Sequence, residues 1–245
     1  MRVVVTRPAA EAGAWVDALR GRGFDAVALP LIEIGAAPHI GALQGSWSRI
    51  DSYRAAMFVS ANAVRGFFDA NVHNAPFAPR AWATGPGTRN ALLAAGVAQE
   101  MIDSPADDAA QFDSEALWSI VRVQCRQGDR VLRVRGGVGR DWLEQQLMSQ
   151  GVAVETVVAY SRLLPAWSDR EKAAANSSGD GAWLFSSSEA IANLRALLPK
   201  HDWRAARAVA THPRIAAAAR DAGFGVVCES RPTLDDVVRT LESLG

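Results

Sequence analysis

Several apolar runs in this sequence are followed directly by small or hydroxyl-bearing turns, and these turns are best suited to chemistry. At the carboxyl ends of parallel strands, such turns expose helix N–H groups that favour an anion. One such turn alone is an ordinary helix cap. Together, on two facing domains, they predict a cleft for a polyanion. They are Thr6-Arg7-Pro8, Ser60-Ala61-Asn62, Gly85-Pro86-Gly87-Thr88, Arg135-Gly136-Gly137, Ser186-Ser187-Ser188 and Thr211-His212-Pro213.

Two arginines, Arg7 and Arg135, occupy equivalent places where a predicted strand ends. A guanidinium presents a planar fork of N–H donors that suits a substrate carboxylate. The sequence is equally compatible with arginines that pair with a neighbouring Asp or Glu. Both interpretations stay open.

Tyr160 is one of two tyrosines and lies near the end of a long apolar run, Val152–Leu163. The chain is expected to cross between domains at this place. A phenol there could donate a proton to a leaving hydroxyl. The alternative is a tyrosine that only packs at the linker, and the sequence does not decide between the two.

No cofactor or metal motif accompanies these residues. The GPGT segment is not the GxGxxG fingerprint of dinucleotide sites, and GxxxxGK[ST] and GxSxG do not occur. The four histidines are scattered without an HExxH pair, and Cys125 and Cys228 form no CxxC. We therefore expect neither a cofactor nor a metal, and we expect Ser60 and Ser187 to be ligand donors or caps.

The charge balance excludes broad classes of partner. The 245 residues include 26 basic and 26 acidic side chains, so the formal net charge is zero. Nucleic-acid binding needs a basic stripe with interleaved aromatic residues, and a membrane span needs about 20 apolar residues in a row. Neither pattern occurs. The cysteine usage and the lack of a secretory signal core favour the cytoplasm over a two-lobed periplasmic binding protein.

Strand-like apolar runs alternate with helical periodicity along the chain, which is typical of a parallel α/β sheet. An internal repeat underlies this alternation. FVSANAV lies over LFSSSEAI, since 187 − 60 = 127, and VVVTRP lies over VLRVRG, since 135 − 7 = 128. The sequence therefore predicts two similar halves.

Two stretches rich in turn-forming residues, Gly35–Gly45 and Leu164–Gly181, divide the chain. We expect them to be extended crossings between domains, and we expect Asp25–Ile34 to be one continuous strand. The predicted terminal domain is 1–34 plus 164–245, and the predicted inserted domain is 35–163. Such an arrangement can hinge.

Six pieces of the sequence, in this order, resemble the uroporphyrinogen-III synthase family. They are TRP with its helix and LPLIEI, FVSANAV, TGPGT, LRVRG, VVAYSRLL and LFSSSEAI, and they run from about residue 2 to about residue 225. The expected fold class is α/β: two flavodoxin-like parallel-sheet domains joined by a two-stranded hinge, one domain inserted into the other.

The resemblance implies a reaction. In this family hydroxymethylbilane, a linear octacarboxylate tetrapyrrole, loses water and closes to uroporphyrinogen III, with ring D inverted through a spiro intermediate. This is the work of a cyclising carbon-oxygen lyase (a hydro-lyase) that needs no cofactor. Tyr160 matches the family tyrosine proposed to assist loss of the hydroxyl. The expected partners are this substrate and, transiently, hydroxymethylbilane synthase, and the expected state is a monomer.

The remaining candidate residues are assigned to the substrate carboxylates. Thr88 matches the threonine of the family's Gly-Thr turn, and Ser60 and Ser187 match serines that follow paired strands. The full set of expected substrate-binding residues is Arg7, Ser60, Ala61, Asn62, Gly85, Thr88, Arg135, Gly136, Ser187, Ser188, His212 and Arg214.

One turn departs from the family pattern. The family commonly has a Gly-Pro-Thr-Thr type turn, whereas this chain has THPRI at 211–215. His212 could replace a hydroxyl donor through a ring N–H, and Arg214 through its fork. Alternatively, the departure marks a non-catalytic, synthase-like regulatory protein that binds a tetrapyrrole or another polyanion.

Overall fold

The computed structural model describes residues 1–109, 111–137 and 141–244. The chain divides into two compact units. Unit 1 consists of Met1–Glu33 and Leu163–Gly245, and unit 2 is Ile34–Arg162. Within the described ranges, no helix has both the length and the apolar character needed to cross a membrane.

Most of the strands are short, and the longest has 11 residues. They are β1 (Arg2–Val5), β2 (Asp25–Ala28), β3 (Glu33–Gly35), β4 (Ala55–Phe58), β5 (Arg80–Ala83), β6 (Ile102–Asp103), β7 (Arg130–Gly136), β8 (Ala153–Leu163), β9 (Ala182–Phe185), β10 (Arg207–Ala210) and β11 (Val226–Glu229).

Helices separate most of these strands. They are α1 (Ala9–Arg20), α2 (Ile40–Trp47), α3 (Ala61–Asp69), α4 (Pro86–Ala94), α5 (Ser114–Val121), α6 (Trp142–Ser149), α7 (Asp169–Asn176), α8 (Ser188–Leu197), α9 (Pro213–Asp221) and α10 (Leu234–Glu242).

Unit 1 is built on a sheet with the order β11-β10-β9-β1-β2, in which every pair of neighbours is parallel. Counted in chain order within the unit, this is the flavodoxin-like order 2-1-3-4-5. Apolar side chains of β1 and β9 pack against α1 and α10 in one core cluster. An aromatic group made of Trp183, Phe185, Trp203 and Phe224 packs in the same unit.

Unit 2 has the sheet order β3-β8-β7-β4-β5-β6, and the pairs from β8 to β6 are parallel. Two core clusters involve this sheet. The larger one contains a stacked pair, Trp47 on Phe67, with ring centroids 4.6 Å apart. The indole N–H of Trp47 donates to the carbonyl of Phe67 at 2.8 Å, so the polar edge of this buried ring is satisfied.

The repeat seen in the sequence is also a repeat of backbone geometry. Val3 pairs with Ala182 in unit 1, and Val131 pairs with Ala55 in unit 2. These pairs are equivalent, since 131 − 3 = 128 and 182 − 55 = 127. The predicted α/β class with two parallel sheets is therefore confirmed.

The expectation that Asp25–Ile34 forms one strand is wrong. The chain leaves the unit 1 sheet after Ala28, and the next strand, Glu33–Gly35, lies in the unit 2 sheet. Pro30 falls between them, and proline cannot donate a ladder hydrogen bond.

The two stretches expected to be extended crossings both contain helices. Helix α2 begins at Ile40, and α7 spans Asp169–Asn176. Ser168 and Glu171 form a full capping box at the start of α7, a signal that is readable in the sequence as Ser-x-x-Glu. The sequence pattern also predicts a helix over Gly139–Ser149, and α6 is observed from Trp142; residues 139 and 140 lie outside the described ranges.

Candidate functional site

Strand β8 brings Tyr160 to the carboxyl edge of the unit 2 sheet. Arg135 of β7 pairs with Val158. The next residue, Gly136, pairs with Tyr160, which leaves Ala159 as an extra residue in β8. Such a bulge changes the direction of the side chain that follows. Ala159 and Tyr160 are both buried.

The ring of Tyr160 lies directly against the backbone of Gly136. A Cβ atom at position 136 would lie 2.6 Å from the ring carbon Cζ and 2.9 Å from Oη. A side chain at this position would therefore displace the ring. Tyr160 keeps only 4% of its surface exposed. The absence of a side chain at Gly136 therefore allows the phenol ring to be buried at this place.

Among the described residues, two polar side chains reach the hydroxyl of Tyr160. Ser60 Oγ lies 3.1 Å from Tyr160 Oη, and either atom can be the donor. Arg162 Nη2 donates to Oη at 3.4 Å. The Arg162 guanidinium also lies over the phenol ring, 5.6 Å from its centroid. The phenol oxygen therefore has a hydroxyl and a cation as neighbours.

Ser60 is placed by its role at the start of α3. It is the N-cap residue, with an extended backbone (φ −166°), and its Oγ accepts from the N–H of Ala63 at 3.2 Å. Ala61 is the first residue of the helix. Asn62 is 9% exposed, and its Oδ1 accepts from Arg65 at 2.6 Å. The turn after β4 is thus ordered by its own side chains.

The turn after β5 differs from it because, within the described part of the chain, no side chain caps its helix. Gly85 is the N-cap of α4, and Pro86 follows in its first turn. Thr88 lies in the same turn and is 5% exposed. The hydroxyl of Thr84 donates to the carbonyl of Val59 at 3.3 Å and so links the ends of β5 and β4.

The Arg7 guanidinium contacts two side chains of α1, the helix that follows it. Arg7 Nη1 pairs with Glu11 Oε2 at 3.2 Å, and the guanidinium lies 4.2 Å from the ring centroid of Trp15. Burial lowers the pKa of Arg7 from its ordinary value, and Glu11 opposes that shift. An arginine stays protonated all the same.

Arg135 is engaged in the same way in unit 2. Arg135 Nη1 pairs with Asp141 Oδ1 at 2.8 Å, and Arg133 Nη1 reaches the same oxygen at 2.8 Å. The hydrogen bond from Arg133, with the one from Arg135, lowers the pKa of Asp141. Both candidate arginines therefore pair with an acidic neighbour, and their contact with substrate stays a prediction.

The unit 1 candidates lie at the ends of β9 and β10. Ser187 is the N-cap of α8 and accepts from the N–H of Glu189 at 3.2 Å, and Ser188 is the first residue of that helix. His212 is the N-cap of α9, where its Nδ1 accepts from the N–H of Arg214 at 3.1 Å. Arg214 is exposed. His212 therefore caps its own helix.

The structure brings Ser60, Gly136 and Tyr160 together around one oxygen atom. Sequence reasoning did not select Arg162, although it stands two residues after Tyr160, and residues i and i+2 of a strand share a face. It also did not select Gly66, which packs against the bulge: a Cβ there would lie 2.2 Å from the carbonyl oxygen of Ala159. The bulge itself has no sequence signature.

Among the described residues, no group of three or more His, Cys, Asp and Glu side chains is arranged to hold a metal ion. The unit 2 site is instead made of a phenol, a hydroxyl, a guanidinium and the N-terminus of α3. Fold and site together define an α/β protein with two mainly parallel sheets and a buried tyrosine at a strand end.

The family model described as uroporphyrinogen-III synthase HemD matches residues 13–239, so the chain belongs to the uroporphyrinogen-III synthase family. A protein of Salmonella typhimurium named uroporphyrinogen-III synthase is 29% identical over 233 residues, which cover 91% of this chain and 92% of that protein.

Solved structures show the same fold at low identity. Uroporphyrinogen-III synthetase of Helicobacter pylori is 16% identical, with a TM-score of 0.63 and full coverage, 100%, of both chains. A mutant uroporphyrinogen III synthase of the extremely thermophilic bacterium Thermus thermophilus is 16% identical, with a TM-score of 0.59, over 99% of this chain and 98% of that chain.

Proposed function

We propose that this chain is a uroporphyrinogen-III synthase, which dehydrates and cyclises hydroxymethylbilane to uroporphyrinogen III with inversion of ring D. Its membership of the family and the name of the Salmonella relative support this proposal. The observation that carries it is the buried phenol of Tyr160, whose oxygen has Ser60 and Arg162 as polar neighbours.

In the proposed reaction, Tyr160 donates its proton to the hydroxyl that leaves the substrate as water. Departure of that hydroxyl leaves an azafulvene in its protonated, cationic form and Tyr160 as a phenolate. Closure at the substituted carbon of ring D then gives the spiro intermediate, and fragmentation with reclosure delivers the inverted ring. A phenol held by neighbouring donors is suited to this step because its direction is set before the substrate arrives.

The energetic demand of this reaction is modest. The linear tetrapyrrole also closes without an enzyme, but to the symmetric isomer, so the protein has to favour one closure over another. A preference of roughly 99:1 corresponds to about 2.7 kcal/mol of barrier difference, at about 1.36 kcal/mol for each factor of ten. Several moderate contacts can supply this amount.

Carboxylate recognition is assigned to the strand-end turns. The N-termini of α3, α4, α8 and α9 present backbone N–H groups and a positive dipole end, and both favour anions. The hydroxyls of Ser60, Thr88 and Ser187 and the side chains of His212 and Arg214 add donors. Arg7 and Arg135 would contribute positive charge that their acidic partners partly balance.

The class of enzyme, its state and its partner belong to the same proposal. The protein would act as a cofactor-independent cyclising hydro-lyase and as a monomer in the cytoplasm. It would receive hydroxymethylbilane from hydroxymethylbilane synthase through a transient contact.

A coupled assay tests the proposal. Hydroxymethylbilane is generated freshly by its synthase, the protein is added, the products are oxidised, and the uroporphyrin isomers are separated by chromatography. We expect isomer III to dominate. If only isomer I forms while circular dichroism shows a folded protein, the proposal is wrong, and a non-catalytic tetrapyrrole-binding relative becomes the better description.

Tyr160→Phe tests the role of the phenol. We expect kcat to fall by roughly 100-fold, the lower end of general acid catalysis, with the fold retained. Tyr53→Phe is the matched control, because it removes the other tyrosine hydroxyl of the chain, one that binds Glu155 at 2.7 Å. Equal activity of the two variants would dismiss the acid role of Tyr160.

A further inference from the structure

We infer that Arg162 is a positioning residue that orients the phenol of Tyr160 and stabilises the negative charge on it after proton transfer. This inference rests on the proposed function, because it assigns a role within the same reaction. Arg162 is the last residue of unit 2 and stands two positions after Tyr160 in β8.

The hydrogen-bond roles around the phenol follow from the donor types. A guanidinium can only donate, so Arg162 Nη2 occupies a lone pair of Tyr160 Oη. Ser60 Oγ already accepts from the N–H of Ala63, so its own hydrogen can be donated to Oη. When both groups donate to Oη, the hydrogen of the phenol is left for donation to a ligand.

The charge that develops on the phenol explains the need for a cation. When Tyr160 protonates the leaving hydroxyl, the substrate C–O bond and the phenol O–H bond break, and water and a phenolate form. Tyr160 is 4% exposed, and burial disfavours a charged group. The guanidinium of Arg162, 3.4 Å from the oxygen, offsets that cost. Closure at the substituted carbon releases no proton, and the phenolate takes back the proton that the unsubstituted carbon of ring D loses when the inverted ring recloses.

The close packing around the ring makes this arrangement specific. Gly136 borders the ring on one side, where a Cβ atom would lie 2.6 Å from the ring carbon Cζ. Arg162 lies over the ring and contacts its hydroxyl from the same strand. Removal of the guanidinium should therefore affect the reacting oxygen more than the binding of the substrate.

The test is a comparison of Arg162→Gln and Arg162→Lys in the isomer assay. We expect Arg162→Gln to lower kcat by about tenfold or more with KM changed less than about twofold, and Arg162→Lys, which keeps a cation and a donor, to recover most of the loss. Arg54→Gln is the control, because Arg54 precedes β4 at the opposite edge of the sheet and its side chain donates to the Gln124 carbonyl at 3.3 Å.

A double-mutant cycle separates a role through Tyr160 from an independent one. In the Tyr160→Phe background, Arg162→Gln should add less than about a twofold loss, because the oxygen on which Arg162 acts is gone. Equal losses in both backgrounds, or an effect confined to KM, would overturn the inference while isomer III from the wild type still supports the proposed function. A wild type that forms only isomer I would overturn both.

Discussion

The sheets of unit 1 and unit 2 have equivalent strand pairings, but they differ in the side chains at the ends of their strands. Position 160 − 128 = 32 places Ile32 where unit 2 has Tyr160, and position 88 + 127 = 215 places Ile215 where unit 2 has Thr88. Both isoleucines are buried. The same scaffold therefore carries polar groups in unit 2 and apolar groups in unit 1 at these two places.

Two further pairs of equivalent strand-end positions show which features of the site are common to both units. Ser60 and Ser187 are equivalent, and both cap a helix. Gly85 and His212 are also equivalent, but Gly85 has no side chain with which to cap its helix, whereas His212 caps its own. The fold thus supplies helix N-termini at the strand ends of both units. Of the two equivalent positions 32 and 160, only position 160, in unit 2, carries a phenol.

Each unit combines strands from both sequence repeats. Unit 1 combines β1 and β2 with β9, β10 and β11, while unit 2 combines β7 and β8 with β4, β5 and β6. Apart from β3, each unit takes two strands from one repeat and three from the other. This is why a simple tandem repeat in sequence gives a discontinuous unit in space.

The contact between the bulge in β8 and the neighbouring helix differs from the equivalent contact in unit 1. In unit 1, Asn193 Nδ2 donates to the carbonyl of Leu31 at 2.8 Å. The equivalent pair in unit 2 is Gly66 and Ala159, since 193 − 127 = 66 and 31 + 128 = 159. There the helix lies so close to the carbonyl that only a glycine fits. A side-chain hydrogen bond in one unit is replaced by direct backbone packing in the other.

Gly66→Ala should have the largest effect on this comparison. The new Cβ would lie 2.2 Å from the Ala159 oxygen, and a backbone atom cannot move aside easily. We expect a loss of at least about 3 kcal/mol of stability, measured by chemical denaturation. Gly13→Ala in α1, where a Cβ would meet no described atom within 4 Å, should stabilise by roughly 0.5–1 kcal/mol. A neutral Gly66→Ala would show that the close packing is not required.

Gly136→Ala should have the second largest effect. We expect a loss of about 1–3 kcal/mol in the free energy of unfolding and a lower kcat. The reason is that the ring of Tyr160 has to leave its place beside Ser60 and Arg162. Stability and initial rate of isomer III formation are the measurements. Gly137→Ala, whose Cβ would meet none of the described atoms within 4 Å, is the neighbouring control and should leave both unchanged. Matching results for the two variants would contradict the role given to Gly136.

Ser60→Ala and Ser187→Ala form a matched pair, because each removes an equivalent helix cap. Both variants should lose about 1 kcal/mol in thermal unfolding. Only Ser60→Ala should lower kcat, since Ser60 is the one of these two serines that contacts Tyr160 Oη. Equal falls in kcat would mean that the two strand ends contribute alike to the chemistry.

Glu155→Gln tests a polar cluster at the amino edge of unit 2, where Glu155 accepts from Tyr53 at 2.7 Å, Arg49 at 2.8 Å and Arg130 at 3.2 Å. Unit 1 has Val27 at the equivalent place, since 155 − 128 = 27. Burial alone would raise the pKa of Glu155, but the hydrogen bonds from Tyr53 and Arg49 outweigh it and lower the pKa.

A lowered pKa in the folded state means that Glu155 stabilises the protein above about pH 4.3, its ordinary value, and that this contribution is lost as the pH falls through the folded pKa. We expect Glu155→Gln to cost no more than about 1 kcal/mol at neutral pH and to flatten the acid side of the stability curve. Urea unfolding at several pH values measures this. Glu242→Gln, at the exposed end of α10, should leave the curve unchanged.

Much of the fold is readable from local patterns. The helices at Ala9–Arg20 and Ser188–Leu197 follow from apolar spacing, and the repeat follows from two constant offsets. The capping box of α7 was readable as well, but the turn-forming residues around it favoured an extended segment. The site was only partly predictable. Tyr160 stood out by its place in a long strand, whereas Arg162 and Gly66 gain their importance only from the bulge.

The sequence by itself determined the α/β alternation, the duplicated halves, the capped strand-end turns and the family. Each of these is recognised from short segments of consecutive residues, so no knowledge of the tertiary contacts is needed. Only the tertiary structure decided that Asp25–Ile34 is shared between two sheets, that Ala159 is an extra residue, and that a serine and an arginine meet at the phenol of Tyr160. These features depend on strand pairing and on packing between residues as far as 100 positions apart, as Ser60 and Tyr160 are. Long-range contacts of that kind leave no periodic pattern in the sequence.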